Sequence, residues 1–174
     1  MPGHSSTANW EIRLDEPAFT SWRESLNEVC IFFDGASKNN PGRAGGGGVL
    51  ISASGTMLSH YAWGLGFESN NTAEFCGLLQ GLRIACSKGI TSLVVFGDSR
   101  MLIQALINQK RPSQLKLALI YQKIKHLSQS FHSISFYHIL RGMNYLADNE
   151  ANKGTLLNRG ILEVDGLERR NDIP

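Results

Sequence analysis

Between Val29 and Asp148 the chain spends only five carboxylates, Asp34, Glu68, Glu74, Asp98 and Asp148, on 120 residues that also carry eleven Lys and Arg. A segment so poor in acid has few carboxylates to give to surface solubility. Three of the five stand in settings that suit hard-cation chemistry on a phosphodiester: Asp34 closes an apolar strand-forming run, Glu74 opens a helical stretch, and Asp98 closes a second apolar run. Gathered by a fold, such oxygens are the ligands Mg²⁺ prefers.

The elements that would hold them follow from the apolar pattern. Val29 to Phe33 is a continuous run of strand formers, which suits a strand covered on both faces, and it ends in Asp34-Gly35. Ala36 to Gly42 is rich in turn residues, and its Pro41 and Gly42 exclude helix and fix a tight loop. Gly45 to Gly48 then lead into Val49-Leu50-Ile51; glycine weakens a strand, so its use here is close approach of the backbone to another backbone or to a ligand. Ser54-Gly55 predicts a hairpin turn and Met57 to Phe67 a returning strand. Asn70-Asn71-Thr72 offers N-cap chemistry for a helix over Ala73 to Lys88 that stops at Gly89. Thr91 to Phe96 is a second buried strand, ending at Gly97-Asp98-Ser99, with a short helix over Arg100 to Asn108 after it. Beyond Arg111-Pro112 an amphipathic helix is expected over Ser113 to Ser130, with Leu115, Leu119, Ile120, Ile124 and Leu127 inward. Ser133 to Leu140 alternates as a half-exposed strand, and Asn144 to Lys153 forms a last helix carrying Asp148. The order βββαβααβα describes an α/β domain whose mixed five-stranded sheet has three antiparallel strands, then βαβ-type units, flanked by helices.

Both apolar strands belong near the middle of that sheet. If adjacent, they set Asp34 and Asp98 close enough to share a cation, and Glu74, in the first turn of its helix, is favoured in its ionised form by the macrodipole. Carboxylates gathered this way repel one another unless a cation neutralises them, and Mg²⁺ is the expected ion. Singly, each has a plainer use: Asp34-Gly35 as a turn, Asp98 as a helix cap, Glu74 as a dipole partner. Their joint occurrence in an acid-poor stretch favours the metal.

Composition narrows the remaining classes. At 174 residues and 42% hydrophobic the chain fits one globular domain. The net charge of +2 decides nothing, but its distribution is uneven: residues 1–28 hold five acids against two bases, whereas Ser99 to Ala147 hold seven bases and no acid. Such a stretch is either a footprint for a polyanion or a solvated basic helix face. Cys30, Cys76 and Cys86 have no metal-ligand spacing, and an odd count argues against a disulfide framework, so buried thiols in a reducing intracellular compartment, cytoplasm or nucleus, are expected. No apolar run approaches the roughly 18 residues of a membrane span. Residues 1–28 lack the apolar core of a signal peptide and are expected to be an extension or linker, with the domain at 29–154 and a C-terminal tail at 155–174.

Four motifs in order, Asp34-Gly35-Ala36-Ser37-Lys38-Asn39-Asn40-Pro41-Gly42, Asn70-Asn71-Thr72-Ala73-Glu74, Asp98-Ser99 and Asn144-Tyr145-Leu146-Ala147-Asp148, resemble ribonuclease H of type 1. Each alone is a weak signal; four at family spacing are strong, and they cover Val29 to Gly154. The resemblance implies a ribonuclease H-like fold and a site of Asp34, Glu74, Asp98 and Asp148 binding two Mg²⁺, with Mn²⁺ as an alternative ion. One ion would activate the attacking water and the other stabilise the leaving 3′ oxygen. The implied activity is endonucleolytic hydrolysis of the RNA strand of RNA/DNA hybrids, leaving 5′-phosphate and 3′-hydroxyl ends. Reading 2′-hydroxyls in a wide, shallow minor groove takes short donors and acceptors. Asn40, Asn70 and Asn71 match family positions that make such contacts, and Asn144 is counted with them. Arg100 stands where the family often has Gln, as a minor-groove contact or a phosphate grip. Glu68 matches no motif position and is expected at the surface.

The departures bear on subgroup and partners. Bacterial relatives carry a histidine on a loop between the last strand and last helix; here that loop is Arg141-Gly142-Met143. His138, inside the strand, is either an auxiliary group in its place or structural. The pattern His138-Ile139-Leu140-Arg141, then Asn144 and Asp148, is more similar to the archaeal and plant-like subgroup, found also in retroelements. That adds a reverse transcriptase domain of a larger polyprotein as a partner beside the hybrid. The basic, Trp-rich handle of bacterial enzymes is missing, so weak, salt-sensitive hybrid binding by a monomer is expected. The alternative function is a catalytically idle domain of this fold that binds nucleic acid or tethers a partner protein; such domains usually lose a carboxylate, and this chain keeps all four. A 3′ to 5′ exonuclease of the same fold usually begins with Asp-x-Glu, which Asp34-Gly35-Ala36 does not supply.

Overall fold

Strands form at all five expected places, and two more form in the expected C-terminal tail. The computed structural model describes residues 9–174; the start of the expected N-terminal extension, residues 1–8, lies outside the described residues. The strands are β1 (Val29–Ser37), β2 (Gly42–Ile51), β3 (Met57–Glu68), β4 (Ser92–Gly97), β5 (Ser133–His138), β6 (Ile161–Val164) and β7 (Leu167–Arg170). They make one seven-stranded sheet in the order β5-β4-β1-β2-β3-β6-β7. The helices are α1 (Glu16–Ser25), α2 (Asn70–Ser87), α3 (Arg100–Ile107), α4 (Leu115–Ser128) and α5 (Tyr145–Gly154), with a single 3-10 turn over Arg141–Met143 before α5.

The apolar runs fix the middle of the sheet. β1 is antiparallel to β2 and parallel to β4, and its side chains are buried alternately on two sides. Ile31 and Phe33 join the core under α2, α3 and α4; Cys30 and Phe32 join a second core with Phe19 of α1 and Ala147 of α5. The glycine run does what its weakness as a strand implies, and the approach is to backbone. A Cβ on Gly46 would stand 2.9 Å from the Gly77 nitrogen of α2, and one on Gly47 2.6 Å from the Ala151 nitrogen of α5. The two helices therefore clasp β2 from opposite faces with no side chain between.

Both ends of the chain add to this framework. Asp15 caps α1 by accepting from the Ala18 nitrogen at 3.0 Å, and Pro17 sits in its first turn, where a missing N–H is harmless. The α1 rings then cover the sheet beside α5: Phe19 lies 5.2 Å from Phe96 and Trp22 5.1 Å from Tyr137, both edge-on. At the other end, Asp165 (φ 53°) and Gly166 (φ 84°) turn β6 into β7 as a two-residue hairpin of the Asp-Gly kind. β6 pairs with β3, and Trp63 Nε1 donates to the Asn171 carbonyl at 2.8 Å. Among the described residues the strand count thus rises from five to seven.

Three local expectations are corrected. Ser69 caps α2, accepting from the Thr72 nitrogen at 3.2 Å, so Asn70 to Thr72 lie inside the helix and Glu74 falls in its second turn. The buried stripe of α4 runs through Leu117, Ile120, Tyr121 and Ile124; Leu115 (73% exposed) and Leu119 (55%) sit about half a turn away and face solvent. Glu68 is buried and paired with Lys116 rather than solvated. Among the described residues no helix is long and apolar enough to cross a membrane.

Candidate active site

Register builds the site. Phe33 of β1 pairs with Gly97 of β4, so the next residues, Asp34 and Asp98, emerge side by side. Glu74 comes down from α2 because two glycines let helix and strand touch: a Cβ on Gly35 would stand 2.2 Å from the Glu74 nitrogen, and one on Gly77 2.2 Å from the Asp34 carbonyl oxygen. As a result, one carboxylate oxygen from each of Asp34, Glu74 and Asp98 lies within 4.8 Å of the others. Asp148, on the first turn of α5, stands outside that triangle but lines the same cleft, about 420 Å³ in volume.

The electrostatics are those of crowded acids. Burial, then the neighbouring Asp98, pushes Asp34 up to about 8, against a hydrogen bond from the Gly35 nitrogen at 2.8 Å. Burial and Asp98 likewise push Glu74 up to about 7, with Ser99 and the Arg141 guanidinium opposing. Asp98 is raised by burial, while the Asn144 amide and Arg141 pull the other way. Such a cluster cannot be fully ionised at neutral pH without a cation. All-oxygen, anionic donors at this spacing fit a hard divalent ion.

The other expected site residues divide. Asn70 lines the cleft, and Asn71 beside it is exposed; because Ser69 does the capping, neither side chain is needed for it. Asn40 accepts from the Asn70 nitrogen at 2.9 Å, tying the loop after β1 to the start of α2. Asn144 is fully buried and donates to the Phe33 carbonyl at 2.9 Å, so it braces β1 beneath the acids instead of facing solvent. Arg100 is paired with Glu11 and does not line the cleft. His138 ends β5 opposite Gly97 and is also outside the cleft lining; burial lowers its pKa, and its ring meets Trp10 edge-on at 6.4 Å.

Three cleft residues escaped the sequence reading: Lys38, Arg141 and Asn152. Lys38 Nζ donates to Asn152 Oδ1 at 2.8 Å, and Asn152 Nδ2 donates to the Asp148 carbonyl at 2.9 Å. Asn152 had a usable signal, since a residue four after Asp148 shares its helix face. Lys38 lay within the first motif and Arg141 between two assigned elements; only the fold shows that both turn toward the acids.

Residues 32–154 match the family described as reverse transcriptase-like. Over 126 residues the chain is 32% identical to a bifunctional protein of Mycobacterium tuberculosis, a match covering 72% of this chain and 35% of that one. The chain therefore spans about a third of the length of the mycobacterial relatives it matches. Among solved structures, RNase H1 from the halophilic archaeon Halobacterium salinarum is 31% identical with a TM-score of 0.70, over 73% of this chain and 96% of that one. LC11-RNase H1, solved in complex with an RNA/DNA hybrid, is 26% identical with a TM-score of 0.69, over 74% and 96%.

Proposed function

Since this chain belongs to the ribonuclease H type 1 family, we propose that it is a metal-dependent endonuclease that hydrolyses the RNA strand of RNA/DNA hybrids. The observation that most supports this reading is the convergence of Asp34, Glu74 and Asp98 within 4.8 Å, in a cleft that Asp148 also lines. These four carboxylates would hold two Mg²⁺, or Mn²⁺ in their place. Ions bound there supply a nucleophilic water and neutralise charge on the phosphate, giving 5′-phosphate and 3′-hydroxyl ends.

The chain's own residues do the rest. Asn144 and the glycine contacts at Gly35 and Gly77 hold Asp34 in place, so the ligands are positioned before substrate arrives. Lys38 and Asn152 fix the turn of α5 that bears Asp148. Arg141, an exposed cation facing the acids, offsets their charge and presents a guanidinium to a phosphate. The exposed amides of Asn70 and Asn71 offer short donors and acceptors to the minor groove. The catalytic unit is residues 29–154, a monomer acting inside the cell, and a reverse transcriptase domain in a longer polyprotein is a partner compatible with the family match.

Cleavage of a 5′-labelled RNA, presented as RNA/DNA hybrid, RNA duplex and single strand with Mg²⁺ or EDTA, tests this. Internal, metal-dependent cuts confined to the hybrid are expected; hybrid binding without cleavage would leave an idle nucleic-acid-binding domain. Asp34→Asn keeps the shape and removes a ligand, so turnover should fall at least about a thousandfold with the fold intact. Retained turnover would sink the metal assignment.

A further inference from the structure

Arg100, the expected phosphate or groove contact, already has an anionic partner from the far end of the chain. Its guanidinium pairs with Glu11 and lies 5.4 Å from the centre of the Trp10 ring. Glu11 is itself held in place: its side chain is only 9% exposed, Arg13 approaches it at 3.5 Å, and the backbone on either side is fastened to His138. The His138 nitrogen donates to the Trp10 carbonyl at 2.8 Å, and the Ile12 nitrogen donates to the His138 carbonyl at 2.9 Å. Trp10 to Ile12 thus forms a short parallel strap on the outer edge of β5, whose inner neighbour β4 leads into Asp98.

Arg100 opens α3 two residues after Asp98, and its side chain remains 51% exposed. A carboxylate on a guanidinium uses the same donors that a phosphate would. The charge distribution agrees, with five acids against two bases in residues 1–28 and seven bases with no acid from Ser99 to Ala147. We propose that Glu11 is an internal stand-in for a substrate phosphate: the strap holds Arg100 ready beside the cleft, and a hybrid engages Arg100 only by displacing the Glu11 carboxylate. Arg13 remains as a partner for Glu11 after the exchange, so no buried charge is left alone. The inference rests on the nuclease reading and concerns how strongly that site takes its substrate.

The test is fluorescence anisotropy of a labelled RNA/DNA hybrid with the full chain, Ca²⁺ replacing Mg²⁺ to suppress turnover, across a salt series. Glu11→Gln should tighten binding about three- to tenfold and steepen the plot of log Kd against log salt by roughly one unit, the signature of one more neutralised phosphate. Arg100→Ala added to Glu11→Gln should remove the gain. Glu11→Asp, which keeps the charge and shortens its reach, should give a smaller gain of the same sign. Unchanged or weaker binding by folded Glu11→Gln protein overturns the proposal, as does a gain that survives Arg100→Ala. A wild-type chain that does not prefer hybrid to DNA duplex overturns the nuclease reading and this proposal with it; a wild-type preference with a flat Glu11→Gln response overturns the proposal alone.

Discussion

α5 and α1 share one face of the sheet and are held to it by different contacts. Under α5 lies glycine: a Cβ on Gly45 would stand 2.4 Å from the Thr155 nitrogen, and one on Gly47 2.6 Å from that of Ala151. Under α1 lie rings, with Phe19 and Trp22 meeting Phe32, Phe96 and Tyr137. On the opposite face α2 follows α5, resting on Gly35 and Gly46. The two glycine-seated helices carry Glu74 and Asp148; α1 contributes nothing to the cleft lining. Backbone against backbone leaves no rotamer to adjust, whereas a layer of side chains can repack. The lesson is that tight seating is spent where ligand oxygens must be placed, and looser seating where the sheet only needs cover.

The sharpest way to break this comparison is Gly35→Ala. The new Cβ would meet α2 at 2.2 Å, so strand and helix must part and Glu74 must move from Asp34. A displacement of that order at a catalytic group costs about a hundredfold in kcat, to be read by single-turnover cleavage on protein shown folded by circular dichroism. Full kcat would mean that the seating does not set the ligands. Phe19→Ala, the counterpart on α1, should lower stability by about 3 kcal/mol in urea unfolding and leave kcat of the folded fraction within about twofold. A kcat loss as large as that of Gly35→Ala would erase the distinction.

The tightly seated half was the more legible in the sequence. Runs apolar on both faces place β1 and β4 centrally, so the sequence alone brings Asp34 and Asp98 together, and the weakness of Gly45 to Gly48 as a strand announces close approach. Surface features hid the rest. Residues 1–28 are acidic and read as linker, although Asp15, Pro17 and the spacing of Phe19, Trp22 and Leu26 spell a capped amphipathic helix. The Asp165-Gly166 hairpin signal stands beyond the last motif, with no apolar run long enough beside it to mark the two four-residue strands it joins. Period alone could not choose between the two faces of α4; the position of α2 does. No local pattern ties Glu11 to Arg100, 89 residues apart.

Tight seating also has an electrostatic consequence, which metal removal should expose. The contacts that place Asp34 and Glu74 also exclude water from them, and their values of about 8 and about 7 lie above the ordinary 3.8 and 4.5. Between about pH 4 and pH 8 the metal-free folded state then binds more protons than the unfolded chain, so stability falls as pH rises through that window. In EDTA, Tm should drop by several degrees from pH 5 to pH 8, and saturating Mg²⁺ should recover most of the loss at pH 8 and little at pH 5. A flat metal-free profile would mean that the acids are better solvated than their burial implies.

The smallest expected effect asks whether tight seating serves recognition as well as catalysis. Asn70 and Asn71 begin α2, upstream of the Gly35 contact, and Ser69 leaves their amides free of capping. Each amide can exchange about one hydrogen bond with a hybrid's 2′-hydroxyls or base edges, at about 0.5–1 kcal/mol apiece. Replacing both with Ala should therefore narrow the preference for hybrid over DNA duplex by roughly five- to thirtyfold, mostly in KM, with kcat little changed because the carboxylates stay where β1, β4 and α2 put them. Competition binding of the two duplexes, alongside turnover on the hybrid, separates the effects. Unchanged selectivity would return both residues to the ordinary business of a helix start, and a fall in kcat alone would mean that the first turn of α2 helps to seat Glu74.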